Sequence, residues 1–240
     1  VTLVPKFTEE YRQEELLRGE RSLFYFERNI LGFDLLDDMD FELCKALEGR
    51  APYQAWIRAL VSKYRAGRKS TVASQGYPMW RGSYIVNFST KLIEGSSDNA
   101  KYNHFAPLVD LYMNSPRAEY LQWLYGHRIP PNFVGWNSER LTFIKENPLA
   151  SDTLSFWGPN SKFEGWHGDL VVIDDAQGTE TEGSDVGVSD AWRSYKRAVP
   201  LLTDQRRGQV VVVGAPPISG TRSFVHEVKD SFEGVIKRAA

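Results

Sequence analysis

The sequence predicts an α/β fold in which one largely parallel central sheet is flanked by helices on both faces. Three observations lead there. Residues 170–173 (LVVI) and 209–213 (QVVVV) are short, apolar, β-branched runs, the profile of strands buried on both faces. Between them, Trp192, Tyr195, Val199 and Leu202 recur at three- and four-residue spacing across 190–202, the period of an amphipathic helix. Each run ends in residues with chemistry to offer, Asp174-Asp175 after one and Gly214-Ala215-Pro216 after the other. In an open parallel sheet, ligands sit beyond the carboxyl ends of the strands.

Taken in order, residues 9–28 set Leu16, Leu17, Leu23 and Phe24 at helical spacing among charges, which predicts a surface helix or two ended by Gly32. A second amphipathic segment covers 41–47. Residues 1–50 are therefore expected to form an N-terminal helical segment packed on a core that occupies 51–240. In that core a strand is predicted over 56–62, then a helix from about Ser70 that Gly76-Tyr77-Pro78 breaks. SYIVNFST (83–90) reads as a buried strand. Residues 96–114 read as a helix that Pro107 kinks or breaks, 115–148 as short helices and loops, and 151–157 as another strand. The polar, glycine-rich QGTETEGSDVG (177–187) reads as a mobile loop.

Composition bounds the function. At 240 residues, 42% apolar and 25% charged, the chain suits one large α/β domain or two small ones. Its 29 basic and 31 acidic side chains nearly cancel, so no global field draws it to nucleic acid or membrane, and any polyanion site must be local. The single cysteine, Cys44, excludes an internal disulfide framework and a multi-cysteine zinc site and fits a reducing compartment. The opening VTLVPKF reads neither as a signal peptide nor as a membrane span, and no apolar run nears 18 residues.

The chemistry concentrates at three strand ends. After the strand ending at Val61 comes YRAGRKST, in which Lys69 and Ser70 form a phosphate grip: an ammonium for the β/γ oxygens and a hydroxyl for Mg²⁺ at a strand-to-helix turn. The Walker A pattern laid over Lys69 puts Lys63 and Arg68 where glycines belong, leaving Gly67 inside the loop. About a hundred residues on, VVIDDA supplies two carboxylates at a strand tip, Asp174 for the metal side and Asp175 to orient or deprotonate the attacking water. The pair of half-motifs, in this order, predicts a P-loop NTPase core of the RecA/ASCE-like kind.

In this order the motifs resemble the ATPase (motor) domain of the large terminase subunit of tailed bacteriophages, from about Phe24 to Val228. The resemblance rests on Arg65 opening a deviant Walker A loop closed by Lys69-Ser70-Thr71, and on TVASQGYPMW (71–80) with its aromatic-Pro-x-Trp. It rests also on Gly165-Trp166-His167-Gly168-Asp169 before LVVIDD, and on a strand ending in Gly after a helix. It implies ATP hydrolysis with Mg²⁺ that drives double-stranded viral DNA into a procapsid, in the host cell cytoplasm and without a membrane. The implied partners are a portal protein, a small terminase subunit and further copies of the chain in a ring, the isolated domain being possible as a monomer. The family's nuclease domain has no room in these residues, so the chain is expected to be the motor half alone.

By the same resemblance, Arg65, Ala66, Gly67, Arg68, Lys69, Ser70 and Thr71 cradle the phosphates. Lys69, Arg65 and Asp175 serve catalysis, Arg65 by contacting the γ-phosphate, while Ser70 and Asp174 serve the metal. Gln54, with Phe41 or Tyr53, is the candidate for adenine. Where relatives carry Glu, Asp175 is one methylene shorter, with Glu180 or Glu182 as substitutes. Gly214-Ala215 stands where Gly-Thr is common, and Arg68 replaces a small residue. Arg140, Arg206, Arg207 and Arg222 are candidates for an arginine acting in trans, and Lys91, Lys101 and Arg117 for DNA contact. His104, His127, His167 and His226 are widely scattered and read as structural. The alternatives are another P-loop nucleic-acid-dependent ATPase of helicase-like kind and a nucleotide-free interaction domain.

Overall fold

The computed structural model describes residues 8–35, 38–50, 58–62, 68–147, 149–158, 166–176, 184–203, 208–215, 223–228 and 234–237. Among them the strands are β1 (Arg58–Ser62), β2 (Thr90–Glu94), β3 (Arg140–Leu141), β4 (Leu154–Trp157), β5 (Leu170–Asp174), β6 (Gln209–Gly214) and β7 (Gly234–Lys237). They form one sheet in the order β3-β4-β2-β5-β6-β1-β7. Every neighbouring pair is parallel except β3 with β4. The fold class is the α/β architecture that the apolar runs predict, and β6 separates β1 from β5.

Alternation along the central strands sends their side chains into two cores. Leu170 and Val172 of β5, Leu92 of β2 and Val211 and Val213 of β6 join one cluster, which also holds Leu23, Phe26, Leu43, Phe105, Leu121 and Tyr125 from the helices. Val171 and Ile173, with Ile93, Val210 and Val212, join the other, beneath Tyr195, Ala198 and Phe224. Each such side chain contributes about 1.5–3 kcal/mol by leaving water.

Helix α1 (Glu9–Arg21) starts where Thr8 accepts a hydrogen bond from the Tyr11 N–H, with acidic residues in its first turn and arginines in its last. Helix α2 (Leu23–Tyr25) runs into a wide π turn, Phe26–Leu31, and stops at Gly32, whose φ of 78° suits glycine. Helix α3 (Asp38–Glu48) completes the N-terminal segment.

The largest departures from expectation lie in the next two helices. Gly76-Tyr77-Pro78 does not end the helix after Lys69. The chain passes through a π turn, Thr71–Gly76, into α4 (Tyr77–Tyr84). That helix takes Ser83 and Tyr84, and the predicted strand over 83–90 forms instead as β2, starting at Thr90. The same device carries the chain from α5 (Ser97–Asn99) through Ala100–Phe105 into α6 (Ala106–Met113) past Pro107. A proline lacks the N–H and crowds the carbonyl four residues back. The wider turn moves that carbonyl aside, with Tyr77 N–H bonded to Val72 O and Ala106 N–H to Lys101 O. The carbonyl released by Pro107 is that of Asn103, and Gln75 Nε2 donates to it at 2.6 Å.

Beyond these lie α7 (Ala118–Tyr125), a 3₁₀ turn at Pro131–Phe133, α8 (Asp185–Ala198) and α9 (Phe224–Val228). Helix α8 begins earlier than the apolar period suggests because Ser184 caps it, accepting from Gly187 N–H at 3.1 Å. The predicted loop over 177–183 lies outside the described residues.

The N-terminal segment meets the π turn of the Lys69 helix at Gly76, where a methyl group would stand 2.0 Å from Glu27 Oε1 and 2.6 Å from its Cγ. We expect Gly76→Ala to lower the unfolding free energy by about 1–3 kcal/mol, read from urea melts. An unchanged midpoint would show that this contact is not tight.

Candidate phosphate-binding and catalytic site

The parallel strands reach their carboxyl ends together. Glu94 pairs with Asp174, Asp174 with Val213, and Ser62 with Gly214, so β1, β2, β5 and β6 present one edge. The helix bearing Lys69 and Ser70 starts near this edge. Arg68 opens it at φ 53°, the left-handed conformation in which glycine is unstrained, and its carbonyl accepts from Val72 N–H at 3.0 Å. Arg68 turns its guanidinium away to Asp34 at 3.3 Å and to the buried Asp40 at 3.5 Å. It ties the loop exit to the N-terminal segment.

Lys69 is buried, and its Nζ lies 3.5 Å from Asp175 Oδ2. Asp175 is half exposed and has a φ of 38°, with its N–H held by Val213 O at 3.1 Å, so the chain turns sharply as it leaves β5. Ser70 and Thr71 are half-buried at the start of the helix. Arg65, Ala66, Gly67, Gln54 and Tyr53 lie outside the described residues, as do Glu180, Glu182, Arg206, Arg207 and Arg222.

Asp174 is almost completely buried. Its Oδ2 accepts from Ser74 Oγ at 2.6 Å and lies 3.7 Å from His104 Nε2. Its Oδ1 has no hydrogen-bond partner. His104 Nε2 also stands 3.5 Å from Glu94 Oε2, and Gln75 Nε2 lies 3.5 Å from His104 Nδ1. Burial raises the Asp174 carboxyl, as it does that of Glu94, while His104 counters the shift in both. Burial alone would disfavour the imidazolium of His104, but the carboxylates of Glu94, Asp174 and Asp175 outweigh it and raise its pKa. The group therefore retains protons more readily than its members would alone.

Ser74, Gln75, Glu94 and His104 carry no local signal in the sequence, and His104, read there as structural, stands at this edge. The signal that would have found Ser74 is its helical spacing from Ser70, which returns a hydroxyl to one face. Lys91 does not face solvent or DNA. It is buried, donates to Ser155 Oγ at 2.6 Å, and sits 4.0 Å over the Trp157 ring, with burial lowering its pKa to about 7. Arg117 binds the carbonyls of Asn29 and Ile30 at 2.6 and 3.2 Å. Lys101 lies over the ring of the exposed Tyr102, and Phe41 sits edge-on to Phe24 with Lys45 over its ring. Arg140 is exposed on β3. His127 contacts Arg12, and His167 is exposed.

No family model matches the chain, and no curated protein does. Among solved structures it is similar to a variant of Dbp5 from S. cerevisiae bound to Nup159, Gle1, IP6 and ADP. The TM-score is 0.46 at 11% identity, over 92% of this chain and 51% of that one. The chain thus spans about half of that neighbour's length. At this level the likeness bears on the course of the fold alone. No described helix is long and apolar enough to cross a membrane.

The unpartnered Oδ1 of Asp174 fits a divalent cation, directly or through water, better than a closed structural ion pair would. Among the described residues no group of three or more His, Cys, Asp and Glu side chains makes a metal cage.

Because its pKa is raised on folding, His104 contributes stability that is fully present below its unfolded pKa, about 6.5, and lost as pH rises through the folded value. The stability gap between the parent and His104→Ala should accordingly be wider at pH 6 than at pH 9 in paired denaturant melts. A gap independent of pH would mean that the imidazole is not held charged by this cluster.

Proposed function

We propose that this chain hydrolyses ATP at the carboxyl edge of its sheet, as the motor domain of a large-terminase-type machine that drives double-stranded DNA into a procapsid. The observation that carries the ATPase reading is the meeting of two segments 106 residues apart, with the buried Lys69 ammonium 3.5 Å from Asp175, beside Asp174. The packaging role rests on the ordered motifs that resemble the terminase family. Those motifs also favour it over a helicase-like nucleic-acid-dependent ATPase. A portal protein, a small terminase subunit and a ring of further copies are the partners this reading entails.

The roles of Lys69, Asp174 and Asp175 follow from their contacts, and those of Arg65, Ser70 and Gln54 from the family resemblance. Asp175 lies against the Lys69 ammonium. Arriving β/γ oxygens compete for that charge, which frees the carboxylate to orient and deprotonate the attacking water. Arg65 would contact the γ-phosphate, and Ser70 and Asp174 would hold Mg²⁺. The ion, when bound, neutralises phosphate charge and polarises the γ-phosphoryl group. Ser74 and His104 hold Asp174 in place. Gln54 and an aromatic neighbour take the adenine.

Lys69→Ala and Asp175→Asn should each lower the ATP turnover number by about 100-fold or more, while Asp175→Asn retains nucleotide binding in a fluorescence titration. Equal turnover in both variants and the parent would overturn the catalytic assignment. DNA-stimulated turnover that requires free single strands, and ignores duplex, would favour the helicase-like alternative.

A further inference from the structure

Away from the strand edge, α1, α2 and the π turn after them border an open concavity of about 490 Å³ whose lining includes Arg18, Arg21, Ser22, Phe24, Tyr25 and Arg28. No carboxylate lines it among the described residues. Arg18 stands 5.9 Å over the Tyr25 ring and Arg28 5.8 Å over Phe24. Phe24 packs edge-on against the exposed Phe41 at 5.3 Å, and Lys45 caps that ring at 5.5 Å. The result is a strip of three aromatic rings, each carrying a cation.

Acids already pair with two of these cations, Arg18 and Lys45, which leaves Arg21 and Arg28 as the charges the groove can offer. Glu14 pairs with Arg18, Glu15 accepts from the hydroxyls of Tyr25 and Tyr120, and Glu42 pairs with Lys45. Arg21 and Arg28 are exposed and have no acidic partner among the described residues. The rim is also fixed from below, because Arg117 bonds the Asn29 carbonyl at 2.6 Å. Guanidinium groups laid on rings lose less freedom when they bind an anion, and a planar fork matches phosphate oxygens.

We propose that this groove is a docking surface for the phosphate backbone of duplex nucleic acid. One cation stands over each of Tyr25, Phe24 and Phe41, so a base stacking on that face, as single-strand binding requires, would have to displace it. What the groove offers is charge to a backbone, without base readout. It replaces Lys91 and Arg117, which the fold engages internally, as the DNA-facing surface. The proposal deepens the motor reading but does not need ATP, so the two can fail separately.

The test measures binding of a labelled duplex without nucleotide, by fluorescence anisotropy over a salt series, alongside basal ATP turnover. The double variant Arg21→Ala/Arg28→Ala should bind about tenfold more weakly or worse, with the slope of log K against log salt reduced by about 2. Its basal turnover and thermal melt should match the parent, and Arg21→Lys/Arg28→Lys should recover most of the slope. Parental affinity and slope in the alanine variant would overturn the docking surface and leave the ATPase reading untouched. A parent protein that binds duplex as expected but hydrolyses no ATP would overturn the motor reading alone, whereas a parent that binds no duplex would overturn the docking surface. Polyglutamate or anionic vesicles competing as well as duplex would replace nucleic acid by an acidic protein or a membrane surface, and would also overturn the proposal.

Discussion

The pairing of β5 between β2 and β6 is the constraint on which the site depends. Because all three run parallel and in register, Glu94 and Asp174 end at the same level, and both carboxyl groups are removed from water where removal is expensive. The rest of the site answers that expense. The Lys69 helix runs close enough to place the Ser74 hydroxyl on Asp174, and the helix after β2 returns His104 between the two acids. Gln75 then joins those two helices by bonding the Asn103 carbonyl. What these contacts leave over, one oxygen of Asp174, is the atom a divalent cation would use.

The glycine absent from position 68 of the candidate phosphate loop finds a physical account in Arg68. The backbone there adopts the left-handed turn that a glycine would take without strain, which costs an L-residue about 1–2 kcal/mol. A long cationic side chain makes that conformation serviceable, since it reaches two aspartates of the N-terminal segment, one of them fully buried. The segment before the core is thus fastened to the loop at the residue where the loop departs from pattern, and Glu27 against Gly76 fastens it again about two turns later.

What was legible in the sequence follows from how local each signal is. The runs 170–173 and 209–213 appear as β5 and β6, and the period over 190–202 as the body of α8, because β-branched and helical patterns are written in consecutive residues. Lys69, Asp174 and Asp175 are likewise marked by their immediate neighbours. The strand assigned to 83–90 was lost because Pro78 was read as a stop, whereas the preceding π turn let the helix continue and pushed the strand to Thr90. Ser74, Glu94 and His104 were not legible as a set. They join Asp174 only through strand register and helix packing, over separations of 70 to 100 residues. Arg68 likewise revealed its purpose only through partners 28 and 34 positions away.

The π turn ahead of Pro78 has a mechanical consequence. A π turn encloses one more residue in each hydrogen-bonded ring than an α turn does. Exchanging one for the other advances everything on its N-terminal side by a single residue, a rotation of about 100° with a translation of about 1.5 Å along the axis. Tyr77–Tyr84, anchored in the core, need not move. The π turn therefore fixes the rotational phase at which Lys69, at the start of this helix, meets Asp175.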